Sequence, residues 1–412
     1  MLSNPHTRAV FNSGSGIRSM FMKGRRMKSE GKDPIDLSLG NPDIKPPEVY
    51  YKALIKEIKA NNQSQTNSHK YMPNEGYPET RESVSQELDA RFDLPFKKEH
   101  IVMTAGAANA LDVLLMTLIN PKTNNLTETK PKKQEEVIVV APYFVEYSNY
   151  IKNNQGKTIV VCTDTDFNLN LKEIKEAITP RTRAIILNSP NNPTGAVYGK
   201  KSLEELAQIL TQAEQKHTTT IACIEDSPYE ALIFGDAQFN TMLNQYRNTF
   251  YVTSHSKSLG IAGERIGLLA MHPKAGDSNE DRKTFLSALT TNLRTRIVNA
   301  PGLQQKIIGE IGTFCTGDIS QYEGRVNRLA DALEESGFEL VRPKGAFYLF
   351  PKIPDQFSNM QEFEERVQAG QEPLLYTPGI AFGHEKYSRH IRLSACASDY
   401  DIERACKKFR EL

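Results

Sequence analysis

Residues 249–267 read Thr-Phe-Tyr-Val-Thr-Ser-His-Ser-Lys-Ser-Leu-Gly-Ile-Ala-Gly-Glu-Arg-Ile-Gly. The run Thr249–Thr253 is apolar and β-branched, the pattern of a buried strand. It opens onto Ser254, Ser256 and Lys257, then a glycine-containing turn, then Arg265 and Gly267. A lysine at the mouth of such a strand, with hydroxyls before it and an arginine eight residues on, has a specific use. It can hold an aldehyde as a Schiff base while the hydroxyls and the guanidinium grip a phosphate. Taken singly, a lysine or arginine is more often a solvated surface side chain, and a serine-rich strand end is more often a turn. The weight of the stretch therefore rests on what the rest of the chain supplies.

Working outward, further apolar runs of strand length are Ile101–Thr104, Val137–Ala141, Thr158–Cys162, Ala184–Asn188, Thr220–Glu225 and Ile266–Met271. Helical stretches lie between several of them. The clearest is Leu203–His217, announced by Ser202 and Glu205 in the spacing of a capping box. Seven short strands alternating with helices predict an α/β fold, with a large domain whose mostly parallel seven-stranded sheet is covered by helices on both faces. After Asn299 the character changes. Helices over Leu303–Thr313, Gln321–Ser336 and Tyr400–Glu411 mix with short strands over Ala346–Phe350 and His390–Ser394. This predicts a smaller α+β domain completed by the N-terminal residues, with a short strand from Ile35. The expected division is 1–45 (arm and part of the small domain), 46–299 (large domain) and 300–412 (small domain). Residues 121–136 and 272–282 are polar, lack apolar period and read as loops.

Composition narrows the function classes. A chain of 412 residues with a net charge of +1 carries no sign of nucleic-acid or anionic-membrane binding. No apolar run is long enough to span a bilayer, and residues 1–16 lack the apolar core of a signal peptide. The five cysteines are odd in number and widely spaced, which fits a reducing, cytoplasmic setting. The eight histidines show no paired ligand spacing, so no metal is expected.

In open α/β sheets ligands bind beyond the carboxyl ends of the strands. After Ile101–Thr104 come Gly106, Ala107 and Ala108, small residues whose backbone N–H groups at a helix start can face a phosphate. After Val137–Ala141 comes Phe144, an aromatic able to stack on a planar ring. After Ala184–Asn188 comes a turn containing Asn192, whose amide can donate to a phenolic oxygen. Asp226, at the end of an apolar run, costs desolvation unless it meets a cation such as a protonated pyridine nitrogen, and Tyr229 follows within reach of the same ring. Each residue has a bland structural reading, as a cap, turn or core aromatic. Together with Lys257 and Arg265 they describe a site for pyridoxal 5′-phosphate.

With these residues in view, the chain resembles the fold-type I pyridoxal-phosphate aminotransferases, class I/II, the group that includes aspartate aminotransferases. Asn192-Pro193-Thr194-Gly195, Asp226-x-x-Tyr229 and Ser254-His255-Ser256-Lys257 through Gly263-Glu264-Arg265-Ile266-Gly267 are similar to that family's motifs. So is Tyr71-Met72-Pro73-Asn74-Glu75-Gly76; the resemblance implies that Tyr71 contacts the cofactor phosphate of the other subunit, and hence a homodimer. It also implies that Arg392 clamps the substrate α-carboxylate and that the backbone at Gly40 approaches it. The chain departs from the family in having no Trp, so Phe144 takes the stacking position. A long charged loop over 121–136 replaces a short turn, and Ala107 and Ala108 leave more of the phosphate to Ser254, Ser256 and Arg265.

The activity implied is amino-group exchange between an L-amino acid, aspartate first, and a 2-oxo acid such as 2-oxoglutarate, in ping-pong fashion. Lys257 would carry the cofactor and move the Cα proton, Asp226 would keep the ring nitrogen protonated, and Tyr229 and Asn192 would hold the ring oxygen. A dicarboxylate needs a second cation, for which Arg18, Arg294 and Arg296 are candidates; aromatic and alanine-type substrates stay open. A lyase or decarboxylase of the same fold would share Lys257 and Asp226. A cofactor-sensing regulator would need an added DNA-binding domain. His255 reads as structural, since strand alternation turns it away from Ser254 and Ser256.

Overall fold

The structure is a computed structural model that describes residues 16–119 and 133–412, with side chains from residue 19 onward. The expected arm over residues 1–15, the Arg18 side chain and most of the 121–136 loop lie outside the described residues.

Seven strands form one sheet: β1 (Ile101–Thr104), β2 (Glu136–Ala141), β3 (Lys157–Cys162), β4 (Thr182–Asn188), β5 (Ala222–Asp226), β6 (Thr249–Ser254) and β7 (Gly267–Met271). Their spatial order is β1-β7-β6-β5-β4-β2-β3. Only β7 runs against its neighbours; every other pairing is parallel. The inner strands are buried along nearly their whole length because both faces are covered, whereas the edge strand β3 stays partly exposed. Alternate residues go to opposite sides, as a pleated strand requires. Val137, Val139, Ile186, Ile224 and Val252 pack under the helices Gly106–Leu118 and Asn279–Ile297. Ile138, Val140, Ile185 and Leu187 face Leu203, Leu206 and Leu210 of the helix Lys200–His217. Met103, Leu268 and Ala270 face the helices Pro78–Phe92 and Gly302–Ile311.

A separate core gathers the two ends of the chain. Ile35–Asp36 pairs in parallel with Leu374–Leu375, and Thr377–Pro378, Ile391–Ser394 and Tyr348–Leu349 form an antiparallel three-stranded sheet. Ile35 and Leu37 share a cluster with Leu329, Leu333, Phe347, Leu393 and Phe409. The N-terminal strip is thereby held beside Arg392.

Two local expectations change. The helix expected from Leu203 starts at Lys200, with Gly199 at its cap. Ser202 lies inside the first turn, so the spacing with Glu205 is not a capping box. The polar stretch 272–282 is not a loop throughout: the helix Asn279–Ile297 begins within it, and the Ser278 hydroxyl accepts from the Asp281 N–H at 3.0 Å. Only Leu289 and Leu293 are buried along that helix, so its apolar stripe is thin.

Candidate active site

The carboxyl ends of β4, β5 and β6 lie side by side, with Asn188 opposite Asp226 and Asp226 opposite Val252. Beyond them opens a cavity of about 180 Å³. Ala107, Ala108 and Phe144 line it from the β1 and β2 ends, Asn192 from β4, Asp226 and Tyr229 from β5, and Ser254, Ser256, Lys257 and Arg265 from the segment after β6. Gly106, Gly40 and Arg392 adjoin through the contacts described below. Tyr71 does not line the cavity; its side chain is 86% exposed. Arg294 and Arg296 lie outside it on the helix Asn279–Ile297, where Arg296 pairs with Asp112 at 3.6 Å.

Asp226 is the last residue of β5 and is buried. Its Oδ2 accepts from the Tyr147 hydroxyl at 2.6 Å, whereas Oδ1 is buried without a partner. Burial raises the carboxyl to about 7, since nothing cationic compensates it. An orphaned carboxylate oxygen at the end of a strand fits a protonated ring nitrogen. Asn188 fixes the neighbouring turn: its Nδ2 donates to Asp226 O at 2.8 Å, and its Oδ1 accepts from Asn192 N–H at 2.7 Å.

Lys257 sits in the short helix His255–Ser258 that follows β6. Its Nζ donates to Gly40 O at 2.6 Å, and burial lowers the amine to about 8. A larger neutral fraction near neutrality is what an amine needs to attack a carbonyl. Ser254, Ser256 and Arg265 line the same cavity, two hydroxyls and a guanidinium that make a donor set fitting a phosphate. Arg265 Nη2 donates to Ala105 O at 3.3 Å, crossing over Gly106. A Cβ at Gly106, where φ is +79°, would stand 2.7 Å from that Nη2. The residues present thus fit pyridoxal phosphate at its ring nitrogen, its aldehyde and its phosphate.

Arg392 is fully buried, yet no carboxylate pairs with it among the described residues. Nη2 donates to Ser38 O at 2.5 Å, Nη1 donates to Asn192 Oδ1 at 3.1 Å, and Nε has no partner. The guanidinium lies 4.7 Å from the centre of the Tyr348 ring. The Tyr348 hydroxyl meets that of Tyr229 at 3.2 Å, and an added Cβ at Gly40 would stand 1.9 Å from it. A buried guanidinium neutralised only by dipoles and ring faces can receive an anion.

Sequence reasoning missed Tyr147, Asn188 and Tyr348. Tyr147 had a signal in its place shortly after Phe144, on the next helix. Tyr348 had none, because its run Ala346–Phe350 reads as a core strand and nothing in it marks a hydroxyl for the site. His255 is indeed turned from the cavity, but by the helical turn it begins rather than by strand alternation.

Among the described residues no helix is long and apolar enough to cross a membrane, and no cluster of three or more His, Cys, Asp or Glu could hold a metal ion.

Residues 32–409 match the family model for Aminotransferase class I and II. The chain is 29% identical over 389 residues to a probable aspartate aminotransferase of Methanocaldococcus jannaschii, covering 92% of this chain and 93% of that protein. It superposes on an amino transferase from Eubacterium rectale with a TM-score of 0.88 at 27% identity, covering 100% of this chain and 98% of that one. Against the Thermus thermophilus aspartate aminotransferase solved with maleate, the TM-score is 0.81 at 26% identity, over 97% and 96% of the two chains.

Proposed function

Since the chain belongs to the class I and II aminotransferases, pyridoxal-phosphate-dependent transaminases of fold type I, we propose that it exchanges the amino group between L-aspartate and 2-oxoglutarate by a ping-pong route. The observation that carries the residue assignment is the unpartnered, buried Oδ1 of Asp226 in the same cavity as the Lys257 amine. The aspartate preference draws on the relatives, two of which are described as aspartate aminotransferases.

When bound, pyridoxal phosphate supplies an aldehyde for the incoming amino group and a ring that accepts electrons. Asp226 holds a proton at the ring nitrogen. Arg392 binds the substrate α-carboxylate, and its bond to Asn192 Oδ1 leaves the Asn192 Nδ2 donor for the ring oxygen, beside Tyr229. Lys257 Nζ, free of its covalent role once substrate is bound, takes the proton from the substrate Cα. Ser254, Ser256, Arg265 and the backbone at Gly106, Ala107 and Ala108 anchor the phosphate, with Phe144 against the ring.

We propose a division of the chain at 45/46 and 299/300, with the helix Gly302–Ile311 of the last part packed on the large sheet, and place the protein in the cytoplasm as a homodimer. In that dimer the exposed Tyr71 of one subunit reaches the phosphate of the other. A sedimentation measurement on the active protein checks the dimer; a fully active monomer would remove this role of Tyr71.

The test of the activity is the visible spectrum of the purified holoenzyme, first with L-aspartate and then with 2-oxoglutarate. Loss of the cofactor band on aspartate and its return with the oxo acid is the expected result. A band that answers other amino acids but not aspartate would discard the substrate and keep the transaminase. Release of ammonia or CO₂ without amino exchange would point to a lyase or decarboxylase.

A further inference from the structure

A second cavity, of about 350 Å³, lies on the other side of the lysine turn. The two cavities share Ser254 and Pro228 as lining residues. Around the turn the side chains divide: Ser256 and Lys257 face the cofactor cavity, His255 and Ser258 the second one. The roof is the segment 312–319, which joins the helices Gly302–Ile311 and Ser320–Glu335. It is pinned to the turn by Gly317 N–H, which donates to Ser258 O at 2.7 Å.

The lining is polar and unfinished. Glu230 is 9% exposed and its Oε2 is buried without a partner. His255 is 1% exposed and its Nε2 is likewise alone, as is the hydroxyl of buried Thr313. Arg91, which also lines the cavity, lies 4.3 Å from the centre of the Phe314 ring and makes no ion pair among the described residues. Glu230 and Arg91 thus line one cavity with no ion pair between them among the described residues; Arg91 acts on Glu230 only through space, and the Tyr251 hydroxyl lies within reach of Glu230. Burial supports this reading by raising Glu230 to about 7, with Arg91 and the Tyr251 hydroxyl easing it only in part.

We propose that this cavity is a second ligand site, distinct from the substrate site, for a small zwitterion whose ammonium group meets Glu230 and whose acid group meets Arg91. A cavity of this size admits a free amino acid or a small amino sulfonate, and each would complete both charges at once. His255 and Thr313 supply the remaining hydrogen bonds. A ligand here touches the wall behind Ser254 and the segment pinned to Ser258, so it contacts the lysine turn without entering the cofactor cavity.

The test is titration calorimetry on the holoenzyme with glycine, β-alanine and taurine, using acetate and methylammonium as single-charge controls. We expect one zwitterion site per chain that survives Arg392→Ala. It should bind at least about tenfold more weakly in Glu230→Gln and in Arg91→Gln, and the single-charge controls should be weaker by a similar factor. Tighter binding of taurine than of glycine and β-alanine would assign the site to a sulfonate, and the reverse to a carboxylate. Arg91 is exposed, so its variant serves where Glu230→Gln fails to fold. The proposal is overturned if no zwitterion binds up to about 50 mM. It is also overturned if the only binding is lost in Arg392→Ala and unchanged in Arg91→Gln; the cavity then holds solvent alone.

Discussion

At Lys257 two demands meet: the amine must be buried to lose its proton readily, and it must be tethered to be aimed. Burial lowers it to about 8, and the bond to Gly40 O supplies the tether. Lys257→Ala is expected to bring amino exchange below detection, a loss beyond the roughly 10⁴-fold ceiling of a general acid–base alone. The check is oxo-acid formation under single-turnover conditions. Asp226→Asn removes the charge facing the ring nitrogen and keeps the shape; kcat should fall by about 10²–10³-fold. For Arg392→Ala, kcat/KM for every α-amino acid should fall by about 10²-fold or more, since a charge-assisted pair is lost in a dry site. Steady-state kinetics across several amino acids would reveal any substrate that escapes. Lys257 and Asp226 were legible from residue type and place, Arg392 only through the family resemblance. Tyr348 was not, because the same aromatic in the same apolar run serves equally as core; only the fold brings its hydroxyl to Tyr229 and its ring beneath Arg392.

The element that does most for the site is the junction of β1 with the helix Gly106–Leu118. The backbone there is left-handed at Gly106, and the Arg265 guanidinium lies against its bare Cα. Gly106→Ala is expected to cost about 1–3 kcal/mol of stability and to weaken cofactor binding, because the added methyl meets Arg265 as well as the backbone strain. Denaturant melts with and without cofactor separate the two effects. The strands were legible because each carries a short apolar run, in the inner strands the mark of burial on both faces; the edge strand Lys157–Cys162 shows it only through Ile159, Val160 and Val161. The helix Asn279–Ile297 was not. It buries only two leucines and begins with Asn, Glu, Asp and Arg, so the apolar period that marks a helix is nearly missing. Its signals were of another kind: Ser278 at the cap, acids in the first turn and arginines in the last.

For the whole molecule, the buried acids set how stability follows pH. Asp226, Glu225 and Glu230 are each raised to about 7 by burial. A raised acid contributes stability that is complete below its unfolded pKa and is lost as the pH climbs through about 7. His255 and His390, lowered to about 4, act in the opposite sense and cost stability as the pH falls from 6.5 towards 4. Bound cofactor gives Asp226 a cationic partner and cancels its share alone. The gap in Tm between loaded and empty protein is therefore expected to widen from about pH 5 to about pH 8, and Asp226→Asn should flatten it. A gap independent of pH in the wild-type protein would count against the pairing. The joining of the chain ends was legible only in outline. Short strands near both termini hinted at a shared layer, but the pairing of Ile35–Asp36 with Leu374–Leu375 depends on contacts that no local pattern encodes.

The bond from Lys257 Nζ to Gly40 O also ties the reacting amine to a strip of backbone anchored elsewhere, through Leu37 N–H on Leu375 O and Ser394 N–H on Leu37 O. An amine engaged in covalent chemistry cannot keep that bond unchanged. The strip around Gly40 is therefore coupled to the state of one nitrogen: what occupies Lys257 Nζ decides whether this stretch of main chain keeps its contact with the lysine turn.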